Sequence, residues 1–562
     1  MKCLILVVYF NRAWAYDPQE YHKADYNYTF PIGLAYISAI LKKNGHDIKI
    51  LNLNHCNGTT DEILKTELSG EFFDFVITGS ISPYFPDIRT YVESVRKYAP
   101  KTRIILGGGL ITSQPEIIFK LLDPDFAVVG EGEYTLKELF ECLERHGDIN
   151  KVDGIVYRNS NGQIVFTNPR SPIEDLDSLP YPDFDGFGFG EILDHLSSDV
   201  NDVLDFPRPY PIIASRSCPF KCTFCFHPLG NKYRQRSVDN VMEEIEYAIN
   251  KYKVNIIEFY DELFSNDQKR VYDICSKLKI IQKMVPWELK WMCQSRVDIV
   301  NDAMIKTMKD AGCFLFSMGL ESYSPIVLKS MKKAITPQQI DRALRLCVQN
   351  KIAIQGNFIF GDIAETNETY RETLKYWETN CGSTWSGVRL GFITIYQGSE
   401  IYRHALNKGL IKDEIEFIEK RAKFQLPTFN FTDNMTDEEY ELMKLDVLCT
   451  GLCPKQYTTP LINKQEDGFH EVHVKCPYCM EISIYKNYII PENFSRLLIA
   501  CRKCGGRFIL VSMKEKIKIK IIKTIFKIFG ARTIYYPIYY LRKSRIFKIF
   551  FDPIAKMMFK LT

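Results

Sequence analysis

Three cysteines, Cys218, Cys222 and Cys225, stand in the run Ser217-Cys-Pro-Phe-Lys-Cys-Thr-Phe-Cys-Phe226 at the spacing C-x3-C-x2-C. Three thiolates can hold three irons of a cubane cluster and leave the fourth open to a substrate or cofactor, whereas a fully ligated cluster takes four cysteines. A structural zinc knuckle, or three unrelated thiols, is the competing reading of the same spacing. A second set pairs two C-x2-C knuckles, Cys476-Pro-Tyr-Cys479 and Cys501-Arg-Lys-Cys504-Gly-Gly, across 21 intervening residues. Four thiolates close a tetrahedral site with no position left for water, which predicts a structural zinc in a zinc-ribbon-like module over 466–512. A rubredoxin-like iron, an auxiliary cluster and unmetallated thiols stay open as alternatives. His470 and His473 lie close by and are not needed as ligands, and Cys449 and Cys453, four apart on a helical pattern, read as core thiols.

The elements that must position these residues follow from hydrophobic periodicity. Apolar runs at 3–9, 47–51, 74–79, 102–106 and 126–129 alternate with helical patterns, clearest at 31–44 and 84–99. This predicts a doubly wound, flavodoxin-like parallel sheet over 1–150. Ligands of such sheets sit beyond the carboxyl ends of the strands. Here those ends carry Gly79-Ser80-Ile81-Ser82, Gly107-Gly108-Gly109 and Gly130-Glu131-Gly132-Glu133, small residues that let a backbone approach a bulky ligand. A hairpin follows, turning at Asn159-Ser-Asn-Gly162. Pro180, Pro182, Pro207, Pro209 and Pro211 then predict an extended, loop-rich linker, so that hairpin and linker fill 151–211.

Alternation resumes with strands expected at 212–216, 255–260, 288–293, 314–319, 353–360 and 387–395, six units of a partial α/β barrel over 212–400. Its site should lie at the carboxyl ends of the strands. A helical extension is expected over 401–465. The chain's 562 residues fit three or four domains, and 46% hydrophobic and 25% charged residues describe an ordinary globular protein. Seventeen cysteines without a secretory leader point to a reducing compartment, and no apolar run reaches the length of a spanning helix. The expected location is therefore cytoplasmic.

The cysteine run resembles the radical S-adenosylmethionine (SAM) enzymes, and the aromatic Phe224 before the third cysteine fits their pattern. Pro31-Ile-Gly-Leu-Ala-Tyr, the glycine triplet and Val129-Gly-Glu-Gly-Glu-Tyr, all ahead of that core, resemble the cobalamin-binding members, over roughly residues 1 to 450. The resemblance implies a 4Fe-4S cluster on Cys218, Cys222 and Cys225 whose open iron chelates SAM. Reductive cleavage then gives a 5′-deoxyadenosyl radical. It further implies that Asp261 and Glu262 meet the SAM ammonium, Arg296 its carboxylate, Glu321 the ribose and Gly356 the adenine, with Tyr396-Gln-Gly-Ser-Glu400 after the sixth strand. Ser80, Ser82, Gly108 and Gly109 are the implied cobalamin contacts. The Asp-x-His-x-x-Gly motif that supplies a histidine below cobalt in many cobalamin domains is absent. His22, His46 and His55 read instead as surface or loop histidines, and His227 as either a loop residue or a pocket wall.

What the resemblance implies most directly is an oxygen-sensitive methyltransferase acting on an unactivated carbon of a small-molecule or lipid-linked substrate, reduced by a donor such as flavodoxin or ferredoxin. Cyclisation or rearrangement, and a non-catalytic cobalamin or SAM sensor, are the alternatives. A tRNA methylthiotransferase would need three further cluster cysteines, and Cys3, Cys56 and Cys142 lack that context. From Lys514 to Thr562 thirteen Lys/Arg face Glu515 and Asp552, a net charge of +11 in a chain of net +3. Isoleucines and phenylalanines interleave with those lysines. Residues 513–562 are therefore expected to be a basic amphipathic segment touching anionic membrane peripherally, at the inner membrane surface. A helix packed on the core, or an RNA-binding arm, would carry the same composition.

Overall fold

The computed structural model describes residues 1–10, 21, 23–26, 28–195, 203–381, 386–421, 429–452, 457–466, 469–488, 490 and 494–529. Its first layer is a seven-stranded sheet in the order β2-β1-β3-β4-β5-β6-β7. The strands are β1 (Lys2–Val7), β2 (Asp47–Asn52), β3 (Phe75–Gly79), β4 (Arg103–Gly107), β5 (Phe126–Val128), β6 (Ile155–Arg158) and β7 (Ile164–Phe166). The first five run parallel, β6 pairs antiparallel with β5, and β7 pairs antiparallel with β6. The expected hairpin thus extends the sheet rather than starting a linker. Leu4, Leu6 and Val76 pack into one apolar layer while Cys3, Ile5 and Ile77 enter another, because successive side chains alternate across a sheet covered on both faces. The helices Ile32–Lys43 and Phe85–Tyr98 lie within two residues of the expected ranges.

The second layer is a six-stranded parallel sheet in the order β15-β14-β13-β12-β11-β8. These strands are β8 (Pro209–Ile212), β11 (Ile256–Phe259), β12 (Lys290–Ser295), β13 (Cys313–Glu321), β14 (Ala353–Phe360) and β15 (Ser386–Phe392); between the first two lies the antiparallel pair β9 (Ser215–Arg216) and β10 (Arg234–Gln235). The first barrel strand is displaced from the expected 212–216 and contains Pro209 and Pro211, which had read as linker. As the terminal strand of the order, β8 has one open edge, where a residue without an N–H is tolerated.

The third part is made of β16 (Tyr457–Thr458), β17 (Leu461–Lys464), β18 (His470–Lys475), β19 (Ile482–Tyr488), β20 (Arg496–Ala500) and β21 (Arg507–Val511), arranged as two three-stranded sheets. Val472, Tyr485, Phe508 and Leu510 form its small core with Cys476, Cys501 and Cys504. It is seated on the amino-terminal ends of the barrel strands. Arg507 reaches Gln355 at 3.4 Å and fills the space a side chain at Gly387 would occupy, while Arg502 pairs with Asp205 at 2.6 Å. The C-terminal helix Met513–Phe529 follows β21 directly. Residues 530–562 of the basic segment, with His22 and Cys453, lie outside the described residues.

Candidate functional site: the cluster loop and the cavity between the two sheets

The three-cysteine run occupies the loop between β9 and β10. Asn231 Nδ2 donates to the carbonyls of Phe220 at 3.0 Å and Cys218 at 3.3 Å, and the Thr223 amide donates to Met331 O at 3.1 Å. The Cys225 amide donates to Cys222 O at 3.1 Å, turning the two thiols toward each other. The Cys222 thiol is pulled down to about 6 by its hydrogen bond to Cys225, aided by Lys333 and Arg296 despite burial, and Cys225 is pushed up as the partner that keeps its proton. Burial also raises Cys218. Two cations beside these sulfurs favour thiolates, the form that ligates metal.

The barrel supplies those cations and more. Arg296, after β12, is buried with its guanidinium 3.5 Å from the Phe220 ring centroid, and donates to Lys333 O at 2.6 Å and Asp298 Oδ1 at 3.0 Å. Glu321 ends β13 at φ +60°, beside a register shift, and pairs with Lys333 at 2.7 Å. Burial alone would lower the Lys333 ammonium, but Glu321 and Cys222 outweigh it and its pKa is raised. Gly356 lies on β14, where an added Cβ would come 2.9 Å from Met318 O. Phe224 packs with Val327, Met331 and Ile395.

Asp261 and Glu262 diverge. Asp261 is fully buried, with Oδ1 accepting from the Ala214 amide at 2.7 Å and Oδ2 from the Ser215 hydroxyl at 2.5 Å, so it braces the entry to the cluster loop. Glu262 faces the open space and lies 3.7 Å from His227. Both ring nitrogens of His227, both polar atoms of the Gln397 amide and the Thr223 hydroxyl are buried without a hydrogen-bond partner among the described residues, which leaves them free to meet a polar ligand.

Between the two sheets lies a cavity of ≈ 610 Å³. Its floor is the carboxyl edge of the first sheet, with Gly79, Ser80, Gly107, Gly108 and Gly109, and its roof includes Arg216, Ser217, Leu229, Tyr260 and Glu262. Gly108 has φ +80°, and an added Cβ would come 3.0 Å from Ser80 O, so any side chain would be both strained and crowded. Ser82 instead is buried in the turn Ser82–Tyr84 and does not line the cavity. Phe226, just after the third cysteine, fills the space beside Gly398, where an added Cβ would approach to 2.5 Å, and reaches to 4.0 Å of the corresponding position at Gly109. His46 is buried against Phe140 instead of lying at the surface, because it faces the end of the helix Glu133–Glu144. His55 accepts or donates a 2.9 Å hydrogen bond with Tyr28 OH, and neither histidine lines the cavity.

One constellation escaped sequence reading. Arg216, two residues before Cys218, lies 2.6 Å from Glu131 and 2.6 Å from Glu133; Arg234 lies 2.7 Å from Glu131, and all four side chains are at most 8% exposed. The acids of Gly130-Glu-Gly-Glu133 therefore clamp the first sheet to both ends of the cluster loop. Burial pushes the Glu131 carboxyl up, but Arg216, the Ile173 amide and Arg234 together hold it below the ordinary value. Partners 83 to 103 positions apart leave no local signal.

At the other end of the molecule Cys476, Cys479, Cys501 and Cys504 bring their sulfurs within 4.8 Å of one another, the one such metal-ligand group among the described residues. Hydrogen bonds from Cys476 and Cys504 hold Cys501 far below a thiol's usual range. Cys449 is buried on the helix Asp437–Leu452, and Cys3 is buried in β1 with its thiol pushed up to about 12 by desolvation.

Comparison with known proteins places this geometry. Residues 212–376 match the radical SAM superfamily and residues 24–140 the B12 binding domain. An uncharacterized methyltransferase of Pyrococcus horikoshii is 30% identical over 385 residues, 68% of this chain and 79% of that protein. The anaerobic magnesium-protoporphyrin IX monomethyl ester cyclase of Rubrivivax gelatinosus is 28% identical, over 61% of this chain and 61% of its own length. The solved structure of the radical SAM methyltransferase TsrM from Kitasatospora setae superposes with a TM-score of 0.57 at 16% identity, covering 73% of this chain and 76% of that one, a likeness of fold.

Proposed function

Since the chain belongs to the cobalamin-binding radical SAM enzymes, the family of the methyltransferase with which it shares 30% identity, we propose that it is an enzyme that transfers a methyl group to an unactivated carbon of a small molecule. The observation that carries the reading is that the glycine-lined edge of the first sheet and the two ends of the cluster loop, at Ser217 and Leu229, border the same cavity. Bound there, cobalamin supplies a transferable methyl group, and a 4Fe-4S cluster with SAM supplies the radical chemistry that activates carbon.

The chain's own residues have distinct tasks in this reading. Cys218, Cys222 and Cys225 hold the cluster as thiolates. Asn231 holds the loop's carbonyls, while Arg296, stacked on Phe220, and the Glu321–Lys333 pair keep positive charge beside the sulfurs. Glu262 lines the cavity, and with the buried polar atoms of His227, 3.7 Å from it, and of Gln397 would meet SAM, to whose adenine Gly356 would give a close backbone. Phe224 supplies an apolar wall, and Asp261 holds β9 rather than touching ligand. Ser80, Gly108 and Gly109 cradle the corrin, with Ser82 behind them. The apolar lining excludes water from the space where the methyl group moves. Zinc closes the four-thiol site, an electron donor of flavodoxin or ferredoxin type reduces the cluster, and residues 513–562 give a cytoplasmic enzyme a peripheral contact with anionic membrane.

Anaerobic reconstitution with iron, sulfide and hydroxocobalamin, followed by assay for reductant-dependent 5′-deoxyadenosine, tests the reading. Product that disappears in Cys218→Ala/Cys222→Ala/Cys225→Ala, with cobalamin retained in both proteins, is the expected result. Product without retained cobalamin would overturn the methyl-donor part, and no product under any reductant would leave a sensor. The 28% identity to a cyclase favours ring closure as a second reading. Label from methyl-deuterated SAM appears in the product of a methyltransferase and not of a cyclase.

A further inference from the structure

The C-terminal helix Met513–Phe529 begins at Ser512, whose hydroxyl accepts from the Glu515 amide at 3.2 Å. One face of it is committed to the protein. Ile519 is fully buried, and Glu515, buried beside it, pairs with Arg496 of β20 at 2.7 Å. Residues four apart share a helix face, and Met513, Ile517 and Ile521 lie four apart on the face turned away from that contact. They are 63%, 58% and 53% exposed. Helical geometry places Lys516 and Lys520 along one flank of this stripe and Lys514 and Lys518 along the other.

An apolar stripe between two rows of lysines matches a planar surface that is negative outside and apolar a few ångströms below: lysines reach the headgroups while the stripe enters the acyl boundary. A nucleic acid would satisfy the lysines but offer nothing for methionine and isoleucine to enter. The mount sets the orientation. The helix is anchored to the ribbon through Arg496, and the ribbon is seated on the amino-terminal ends of β14 and β15, whereas the cavity lies beyond the carboxyl ends of the barrel strands.

We infer that Met513, Ile517 and Ile521, flanked by Lys514, Lys516, Lys518 and Lys520, dock the enzyme onto an anionic lipid bilayer from the end of the molecule remote from its cofactor cavity. This deepens, and rests on, the peripheral-membrane reading of residues 513–562. The bilayer is then an address rather than the source of substrate, since the cavity lies beyond the opposite ends of the barrel strands.

Flotation of the full chain with vesicles of phosphatidylcholine, alone or with phosphatidylglycerol, tests the inference. Wild type is expected to float with the anionic vesicles and to be released by salt. Ile517→Glu with Ile521→Glu should lower partitioning at least about tenfold, with an unchanged melting temperature because both positions are exposed. Lys514, Lys516, Lys518 and Lys520 all changed to Gln should lower it and weaken the salt dependence, the other nine Lys/Arg of 514–562 remaining. Undiminished binding of the Ile517/Ile521 variant would overturn this face while sparing the membrane reading of the segment. Failure of the wild type to bind anionic vesicles would overturn both, and release of the protein from vesicles by single-stranded RNA would make the surface a nucleic-acid site.

Discussion

Truncating Arg216 to alanine removes a cation that two buried carboxylates share. Glu131 keeps Arg234 and the Ile173 amide, both at 2.7 Å, but Glu133 has no other ion-pair partner among the described residues. Leaving one buried charge unpaired costs about 3–5 kcal/mol. With a slope of roughly 2–3 kcal/mol/M for the unit that unfolds, the urea midpoint should fall by about 1–2 M. Intrinsic fluorescence of Trp287, Trp291 and Trp377 reads the barrel side of the clamp. Glu133→Gln leaves Arg216 with Glu131 and should cost about 1.5–3 kcal/mol, the worth of a charge-assisted hydrogen bond. Combining the two removes the orphaned charge, so the double variant should be less destabilised than the sum by at least about 1.5 kcal/mol. Additivity within about 0.5 kcal/mol would refute the claim that these charges are desolvated and act on each other across the two sheets. The acid limb gives a second readout. Glu131's folded pKa lies below its unfolded value of 4.5, so its contribution is present above that pH and lost as pH falls through the folded pKa. Arg216→Ala should flatten this limb.

Gly108→Val places a branched side chain at φ +80° against Ser80 O; cobalamin retention should fall by more than about tenfold, a loss of roughly 1–3 kcal/mol in strain alone, while iron content is unchanged. Asp87, buried near the start of the helix Phe85–Tyr98 with Oδ1 unpartnered among the described residues, has its carboxyl pushed up to about 7 by burial. Its folded pKa exceeds the unfolded value of 3.8, so stability falls as pH rises between the two; Asp87→Asn should flatten that slope and raise stability at pH 8 by up to roughly 4 kcal/mol, read by urea titration at several pH values. Cys476→Ser with Cys501→Ser should remove one equivalent of bound zinc by metal analysis and abolish hydrogen-exchange protection in β18 to β21, while cobalamin binding by the first sheet persists.

The parts that sequence made legible are those whose signal is local. Five alternating apolar runs defined the parallel sheet, because a strand buried on both faces needs an unbroken apolar stretch, and three cysteines within eight positions carried the cluster loop. The two C-x2-C knuckles converge as their spacing implied. What escaped depends on partners far along the chain. Glu131 and Glu133 stood in a glycine-rich strand end and read as part of a ligand cradle, yet their carboxylates turn to Arg216 and Arg234. Asp261 sat beside Glu262 in an acidic pair, but in the turn after β11 the first carboxylate is buried on Ala214 and Ser215 while the second lines the cavity. Pro209 and Pro211 marked a linker by composition and proved compatible with a strand because that strand has an open edge. Ser82 was one residue too far along its turn to face the cavity.

The seat of the ribbon on the barrel has a consequence in time. β15 ends at Phe392 and β21, whose Arg507 covers Gly387, begins at Arg507, more than a hundred residues later. At roughly 5–20 residues per second of synthesis, the barrel's last strand waits on the order of ten seconds for its cover. Through that interval the amino-terminal ends of β14 and β15, around Gln355 and Gly387, lie without the cover that Arg507 gives them. On the proposed zinc reading of the four-thiol site, a chain made without zinc lacks the folded cover of this end, and its barrel should be cleaved faster by protease near β14 and β15 than that of the zinc-loaded chain.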